Sequence, residues 1–120
     1  MNGKGILIVS ENQDLLISVT EYLRQMEFDV VTCREGLQRN DFFKASRIKG
    51  ILLDLEVSGN DGVSMLKHLR KLHPTVPIIA LSIHENVMGL VRAVEEGATD
   101  YMVKPIDPHH LREKCTLVFD

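Results

Sequence analysis

The chain has 120 residues, of which 44% are hydrophobic, enough to form one core of domain size but not two. Its formal net charge is −3 and its Lys and Arg residues are scattered, which argues against direct nucleic-acid binding, because such surfaces usually need a basic face. No apolar run approaches the roughly 20 residues that a membrane helix needs, and no signal-peptide pattern is present. We therefore expect one cytoplasmic domain over residues 1–120 that does not contact a membrane.

Five short apolar runs are spaced along the chain. Those over 5–9, 51–53 and 77–81 are continuous and rich in β-branched residues, and weaker ones cover 29–32 and 101–103. Continuous runs of this length are typical of strands that are buried on both faces of a parallel sheet.

The segments between and after these runs have apolar residues at the period of an α-helix. In the last one, Asp107 is expected to be the N-cap and Pro108 the first helical residue, positions that these residue types favour. The strand–helix order, repeated five times, predicts an α/β fold: a doubly wound five-stranded parallel sheet with helices on both faces. The predicted helices cover residues 13–26, 35–46, 63–72, 86–96 and 107–119, of which 35–46 has the poorest period.

Residue types that often bind metals or carry out redox chemistry show no site pattern. Cys33 and Cys115 do not form a C-x-x-C pair, so we expect two buried free thiols. The five histidines lack the spacing of metal ligands.

The chemically useful residues fall where the predicted strands end. In a doubly wound sheet, ligands bind outside the carboxyl ends of the strands. Glu11 follows the first strand, Asp54 ends the third, Ser82 ends the fourth and Lys104 ends the fifth. Mg²⁺ prefers carboxylate and phosphate oxygens, a carboxylate can act as the nucleophile, and an ammonium group can pair with a phosphoryl oxygen. The arrangement therefore indicates Mg²⁺-assisted phosphoryl transfer.

Four sequence motifs go further: ILIVSEN at 6–12, ILLDLEVSGNDG at 51–62, PIIALSIHE at 77–85 and EEGATDYMVKPID at 95–107. With these motifs the chain resembles the response-regulator receiver domains of two-component signalling along nearly all of its length. The resemblance implies a flavodoxin-like sheet with strand order 2-1-3-4-5.

The resemblance also implies roles for particular residues. Asp54 would accept a phosphoryl group from a sensor histidine kinase or a phosphotransfer protein, and Lys104 would contact that group. Mg²⁺ would be held by Glu11, Asp54 and the backbone carbonyl of Glu56. The domain would catalyse at most its own phosphoryl transfer and slow dephosphorylation.

A switch and a partner surface are implied in the same way. Ser82 would move toward the phosphoryl group, and Tyr101 would turn inward to fill the vacated space. The bond between Lys104 and Pro105 would be cis. The surface formed by the helix over 86–96, the strand over 101–103 and the last helix would then change partner preference or mediate a homodimer. We expect that surface to carry Val87, Leu90, Val91 and Leu111.

The sequence departs from the family pattern at several positions. Ser10 stands where an acid is usual, which predicts Mg²⁺ affinity weaker by about 10–100-fold. Ile83 replaces a small residue and would narrow the entrance to the acceptor, and Val57-Ser58 would make the following loop softer. Glu56 and His84 occupy positions that influence the lifetime of the phosphoryl group.

Three alternatives stay open at this point. A degenerate receiver, supported by Ser10 and Ile83, would bind proteins independently of phosphorylation. A flavodoxin-type FMN carrier would need a phosphate loop rich in Ser, Thr or Gly after the first strand, and VSENQDLL does not offer one. In a phosphatase with an aspartyl nucleophile, that nucleophile normally follows the first strand rather than the third.

Overall fold

The computed structural model of the protein describes residues 5–33, 48–56 and 62–119. The predicted helix over 35–46 and the loop at Val57-Ser58 lie outside these ranges. A turn of 3₁₀ helix, His84–Asn86, precedes the third described helix. The strands and helices are β1 Gly5–Val9, α1 Gln13–Gln25, β2 Asp29–Cys33, β3 Ile48–Asp54, α2 Gly62–Leu72, β4 Ile78–Ile83, α3 Val87–Glu95, β5 Asp100–Lys104 and α4 Pro108–Phe119.

The five strands form one parallel sheet in the order β2-β1-β3-β4-β5. This confirms the expected doubly wound topology. Because all strands run in the same direction, the residues that follow β1, β3, β4 and β5 meet at one edge. No helix in the described part of the chain has the length and hydropathy needed to cross a bilayer.

Hydrophobic side chains fill both sides of the sheet, and β1 shows how. Ile6 and Ile8 join one cluster with α1 and α4, while Leu7 and Val9 join the other cluster with α2 and α3. Successive side chains of a strand point to opposite faces, so a strand covered on both sides must be apolar throughout. This explains why continuous apolar runs marked the strands.

The strand boundaries differ slightly from those predicted. β3 begins at Ile48 rather than at 51, and β4 continues through Ser82 to Ile83, which pairs with Lys104. Hydrogen-bonded pairing sets these ends, and it continues past the apolar run that marks each strand in the sequence. The prediction that Ser82 ends the fourth strand is therefore wrong by one residue.

The last helix places its apolar residues differently from our expectation. Leu111, Cys115 and Phe119 recur every four residues and lie against the sheet. Leu111 is completely buried, so the prediction that it lies on a partner surface is wrong. Both cysteines are buried and free as expected, and burial raises the pKa of the Cys115 thiol to about 12.

Local sequence signals fix the helix starts near the sheet edge. Asn12 caps α1 by accepting a hydrogen bond from the Leu15 backbone N–H (3.1 Å). Asp107 caps α4 in the same way through the His110 N–H (3.1 Å), which confirms that prediction. At the start of α2, a Cβ on Gly62 would lie 2.4 Å from the Leu55 carbonyl oxygen, so only glycine allows this close approach.

Candidate functional site

Asp54, the last residue of β3, is 2% exposed and its carboxylate accepts three hydrogen bonds. Its Oδ2 accepts a hydrogen bond from the Ser10 hydroxyl (2.6 Å). Its Oδ1 accepts one from the Lys104 ammonium (2.6 Å) and one from the Glu56 backbone N–H (3.0 Å). A buried carboxylate is tolerated only when it is paired in this way.

Lys104, at the end of β5, lies between two carboxylates. Its Nζ is 2.6 Å from Asp54 Oδ1 and 2.9 Å from Glu56 Oε1. Burial would lower the pKa of this lysine, but hydrogen bonds and charge attraction from Asp54 and Glu56 outweigh it and raise the pKa. The site therefore holds a permanent ammonium group between its two acids.

The Glu56 carboxylate is held by groups from β4 and the start of α3. It accepts hydrogen bonds from the Ser82 hydroxyl, the Ile83 backbone N–H (3.0 Å) and the Asn86 side-chain amide (3.4 Å). Burial would raise the pKa of Glu56, but these hydrogen bonds, with those and the charge of Lys104, lower it overall. Glu56 is thus a carboxylate at neutral pH.

At the end of β1, Ser10 forms a hydrogen bond with Asp54, whereas Glu11 points to solvent. Ser10 is completely buried, and its hydroxyl donates to Asp54 while accepting from the Asn12 N–H (3.0 Å). The Glu11 side chain is exposed. The structure therefore brings Asp54 and Lys104 into direct contact. Ser82 is linked to them through Glu56, which contacts both Ser82 and Lys104, and the Glu11 side chain is exposed to solvent.

Tyr101 lies on β5 with its ring directed outward, and it is 45% exposed. The Lys114 ammonium lies 5.7 Å from the centre of this ring and 2.9 Å from Asp100 Oδ2. The peptide bond between Lys104 and Pro105 is cis, as the resemblance implied.

The sequence reasoning missed two side chains of the site. We expected the backbone carbonyl of Glu56 to hold magnesium and its position to influence the phosphoryl group, but we did not expect its carboxylate to contact Ser82 and Lys104, and Asn86 was not considered. Asn86 both caps α3, through the Gly89 N–H (3.2 Å), and donates to the Ser82 hydroxyl (3.0 Å). An Asn directly before an apolar periodic segment is a recognisable N-cap signal, so Asn86 could have been placed beside the site.

Carboxylate oxygens are the type of ligand that a magnesium ion prefers. An ionised carboxylate offers about four lone-pair positions, and the three donors to Asp54 leave room for a further contact at Oδ2. Glu11 is the next residue after Ser10, which contacts this oxygen. Mg²⁺ usually takes one or two carboxylates and keeps several waters, so it does not need a larger cluster. Across 5–33, 48–56 and 62–119, no three His, Cys, Asp or Glu residues form such a cluster.

Comparison with known proteins agrees with this geometry. The family model for the response regulator receiver domain matches residues 6–116. The transcriptional regulatory protein PrrA of Mycobacterium bovis is 35% identical over 100 residues, which are 83% of this chain and 43% of PrrA. The chain thus spans less than half the length of this relative.

Solved structures give the same result for the fold. The receiver domain of NtrX from Brucella abortus has a TM-score of 0.87 at 24% identity, covering 93% of this chain and 95% of that one. The receiver domain of the sensor histidine kinase PA1611 from Pseudomonas aeruginosa, with magnesium in its active-site cleft, has a TM-score of 0.84 at 25% identity and covers 98% of both chains. The chain therefore belongs to the response regulator receiver domain family of two-component systems.

Proposed function

We propose that this domain is a phosphorylation-dependent switch in which Asp54 accepts a phosphoryl group from a sensor histidine kinase or a phosphotransfer protein. One observation carries the proposal: the Asp54 carboxylate at the sheet edge is in direct contact with the Lys104 ammonium, at 2.6 Å. The comparisons do not support the alternative of a module that binds independently of phosphorylation.

In the transfer step, an Asp54 oxygen forms a bond to phosphorus while the bond between phosphorus and the donor histidine nitrogen breaks. That nitrogen keeps the electron pair, and the imidazole leaves neutral because its other nitrogen carries a proton. Lys104 pairs with the transferred group as a positive charge, and the Ser82 hydroxyl donates a hydrogen bond to it. Catalysis of this kind depends on positioning and charge neutralisation.

Magnesium would be held by Glu11, Asp54 and the backbone carbonyl of Glu56. When bound, it supplies charge neutralisation at the phosphoryl oxygens. The PA1611 receiver domain, which is similar over its whole length, holds magnesium in its active-site cleft. Because Ser10 offers a hydroxyl that is already bonded to Asp54, we expect weaker binding than with an acid at this position.

The surface that would report phosphorylation is formed by α3, β5 and α4. It contains a groove of about 450 Å³ whose apolar lining includes Val87, Val91, Tyr101 and Val103, with the mostly buried Leu90 at its floor. Movement of Ser82 toward the phosphoryl group and inward rotation of Tyr101 would change this groove. It is therefore where we place an output partner or a second copy of the domain.

The direct test uses acetyl phosphate and MgCl₂, with the intact protein followed by mass spectrometry. Wild-type protein should gain one phosphate, and Asp54→Asn should gain none. Asp14→Asn, at an acid in the first turn of α1, is the matched control and should behave as wild type. No adduct in the wild type, or an adduct that persists in Asp54→Asn, would contradict the proposal.

A further inference from the structure

Four hydrogen-bond donors from three parts of the fold converge on the Glu56 carboxylate. They are the Ser82 hydroxyl from β4, the Ile83 N–H at the end of β4 (3.0 Å), the Asn86 amide before α3 (3.4 Å) and the Lys104 ammonium from β5 (2.9 Å). A hydroxyl, a backbone N–H and an ammonium group around one point form a site for an oxyanion. In this structure the oxyanion is the protein's own side chain.

Two of these donors are the ones that the proposed function assigns to the phosphoryl group. Lys104 contacts Asp54 and Glu56 at once, and Ser82 donates to Glu56. A donated hydroxyl hydrogen cannot serve two acceptors fully, so a phosphoryl group on Asp54 must take Ser82 from Glu56. The Ile83 N–H, next in the chain to Ser82, also donates to Glu56 and would have to be released before it could bind a phosphoryl oxygen.

The position of Glu56 in the chain makes it a permanent competitor. It lies two residues after Asp54, and its backbone N–H is fixed to the Asp54 carboxylate (3.0 Å). Its side chain therefore stays beside the hydrogen-bond donors at a high effective concentration, whereas an incoming phosphoryl donor must diffuse to the site. The side chain is 28% exposed, so it can leave toward water without movement of its backbone.

We propose that Glu56 acts as a built-in substitute for the phosphoryl group, and that its carboxylate must leave Ser82, Ile83 and Lys104 before these residues can bind phosphoryl oxygens. This inference rests on the proposed function and gives it a direction of regulation: Glu56 slows phosphorylation. The ligand that displaces it is a tetrahedral oxyanion. A phosphoryl group, with about −1.5 to −2 charge and three oxygens, satisfies the donors better than a carboxylate with one charge and two oxygens.

The first experiment measures the rate of phosphorylation by acetyl phosphate with MgCl₂. Glu56→Ala should react about tenfold faster than wild type, because a charge-assisted contact no longer has to break first. Glu56→Gln, which keeps the shape but loses the charge, should lie between the two. The matched control is Glu85→Gln, which removes the charge of an exposed acid in the 3₁₀ turn and should leave the rate unchanged. Circular dichroism checks that the variants are folded.

The second experiment does not depend on phosphorylation. In the Asp54→Asn background, sulfate is titrated while the Ile83 amide is followed by NMR. The Asp54→Asn/Glu56→Ala protein should saturate at about tenfold lower sulfate than Asp54→Asn alone, because the donors are then free.

These outcomes separate the two proposals. Equal phosphorylation rates in wild type, Glu56→Ala and Glu85→Gln would overturn the role of Glu56 while leaving Asp54 as the acceptor. Absence of any phosphate adduct together with tighter sulfate binding in the double variant would overturn the acceptor function and retain Glu56 as the occupant of the oxyanion site. An Ile83 amide that does not respond to sulfate in either protein would overturn that occupancy.

Discussion

The two carboxylates of the site occupy different environments although only one residue separates them. Asp54 is 2% exposed and closed in by Ser10 and Lys104, whereas Glu56 is 28% exposed and held by groups from β4 and the start of α3. The Asp54 carboxylate is buried and cannot exchange its partners for water, whereas the partly exposed Glu56 carboxylate can. The difference suggests that the Asp54 end fixes the geometry of the site and that the Glu56 end can open.

Replacing Lys104, which contacts both Asp54 and Glu56, should have the largest effect on stability. Lys104→Met leaves the Asp54 carboxylate buried without its cation, so the free energy of unfolding should fall by about 3–5 kcal/mol. Urea denaturation measures this loss. Adding Asp54→Asn to the Lys104→Met protein should recover more stability than adding Glu56→Gln, because Glu56 can turn to water. Equal recovery would remove the distinction between the two ends.

Removing one hydroxyl at each end compares them directly. Ser10→Ala deprives a buried charged oxygen of its donor and should lower the free energy of unfolding by about 1.5–3 kcal/mol. Ser82→Ala should cost less, because Glu56 keeps the Ile83 N–H and Lys104 and is partly hydrated. Both values come from urea titrations under the same conditions. A larger loss of stability for Ser82→Ala would show that Glu56 is held more rigidly than Asp54.

Much of the fold could be predicted because burial on both faces imposes a simple pattern on the strands. The continuous runs at β1 and β4 and the helical period of α1 predicted a parallel, doubly wound sheet, whose carboxyl edge gathers Asp54, Ser82 and Lys104. The strand order itself came from the family resemblance. Leu111 was misplaced because the apolar period identifies a helix but does not say which of its residues face the sheet.

The side chains of Glu56 and Asn86 could not be placed in the same way. Glu56 belongs to the turn after β3, whose path is not set by periodicity. Asn86 is the first residue of the predicted helix over 86–96, and the apolar period does not say which groups its polar side chain contacts. Their roles depend on how the two turns approach each other across the sheet edge. Glu11 presents the reverse case: it follows the pattern of the family, but its neighbour Ser10 makes the contact with Asp54.

Placing an acid at position 10, beside Asp54, should increase the affinity for magnesium. Ser10→Asp adds a carboxylate beside Asp54, and we expect Mg²⁺ affinity to rise by about 10–100-fold, as measured by calorimetric titration. Without metal the variant should be less stable, because two like charges are then forced together. Ser10→Asn has the same shape without the charge and serves as control. A similar increase in Ser10→Asn would mean that the charge is not responsible.

The smallest effect is expected at Asn86, where helix capping can be separated from the hydrogen bonds that its amide donates to Ser82 and Glu56. Asn86→Ala loses the cap on the Gly89 N–H and should lower the free energy of unfolding by about 1 kcal/mol. Asn86→Ser keeps a capping oxygen and loses only the amide that donates to Ser82 and Glu56, so it should lie within about 0.5 kcal/mol of wild type. Thermal and urea denaturation of both variants measure the two contributions. If Asn86→Ser were as destabilised as Asn86→Ala, the Asn86 amide would be supporting Glu56 as firmly as Ser10 supports Asp54. Glu56 could then not be the part of the site that opens.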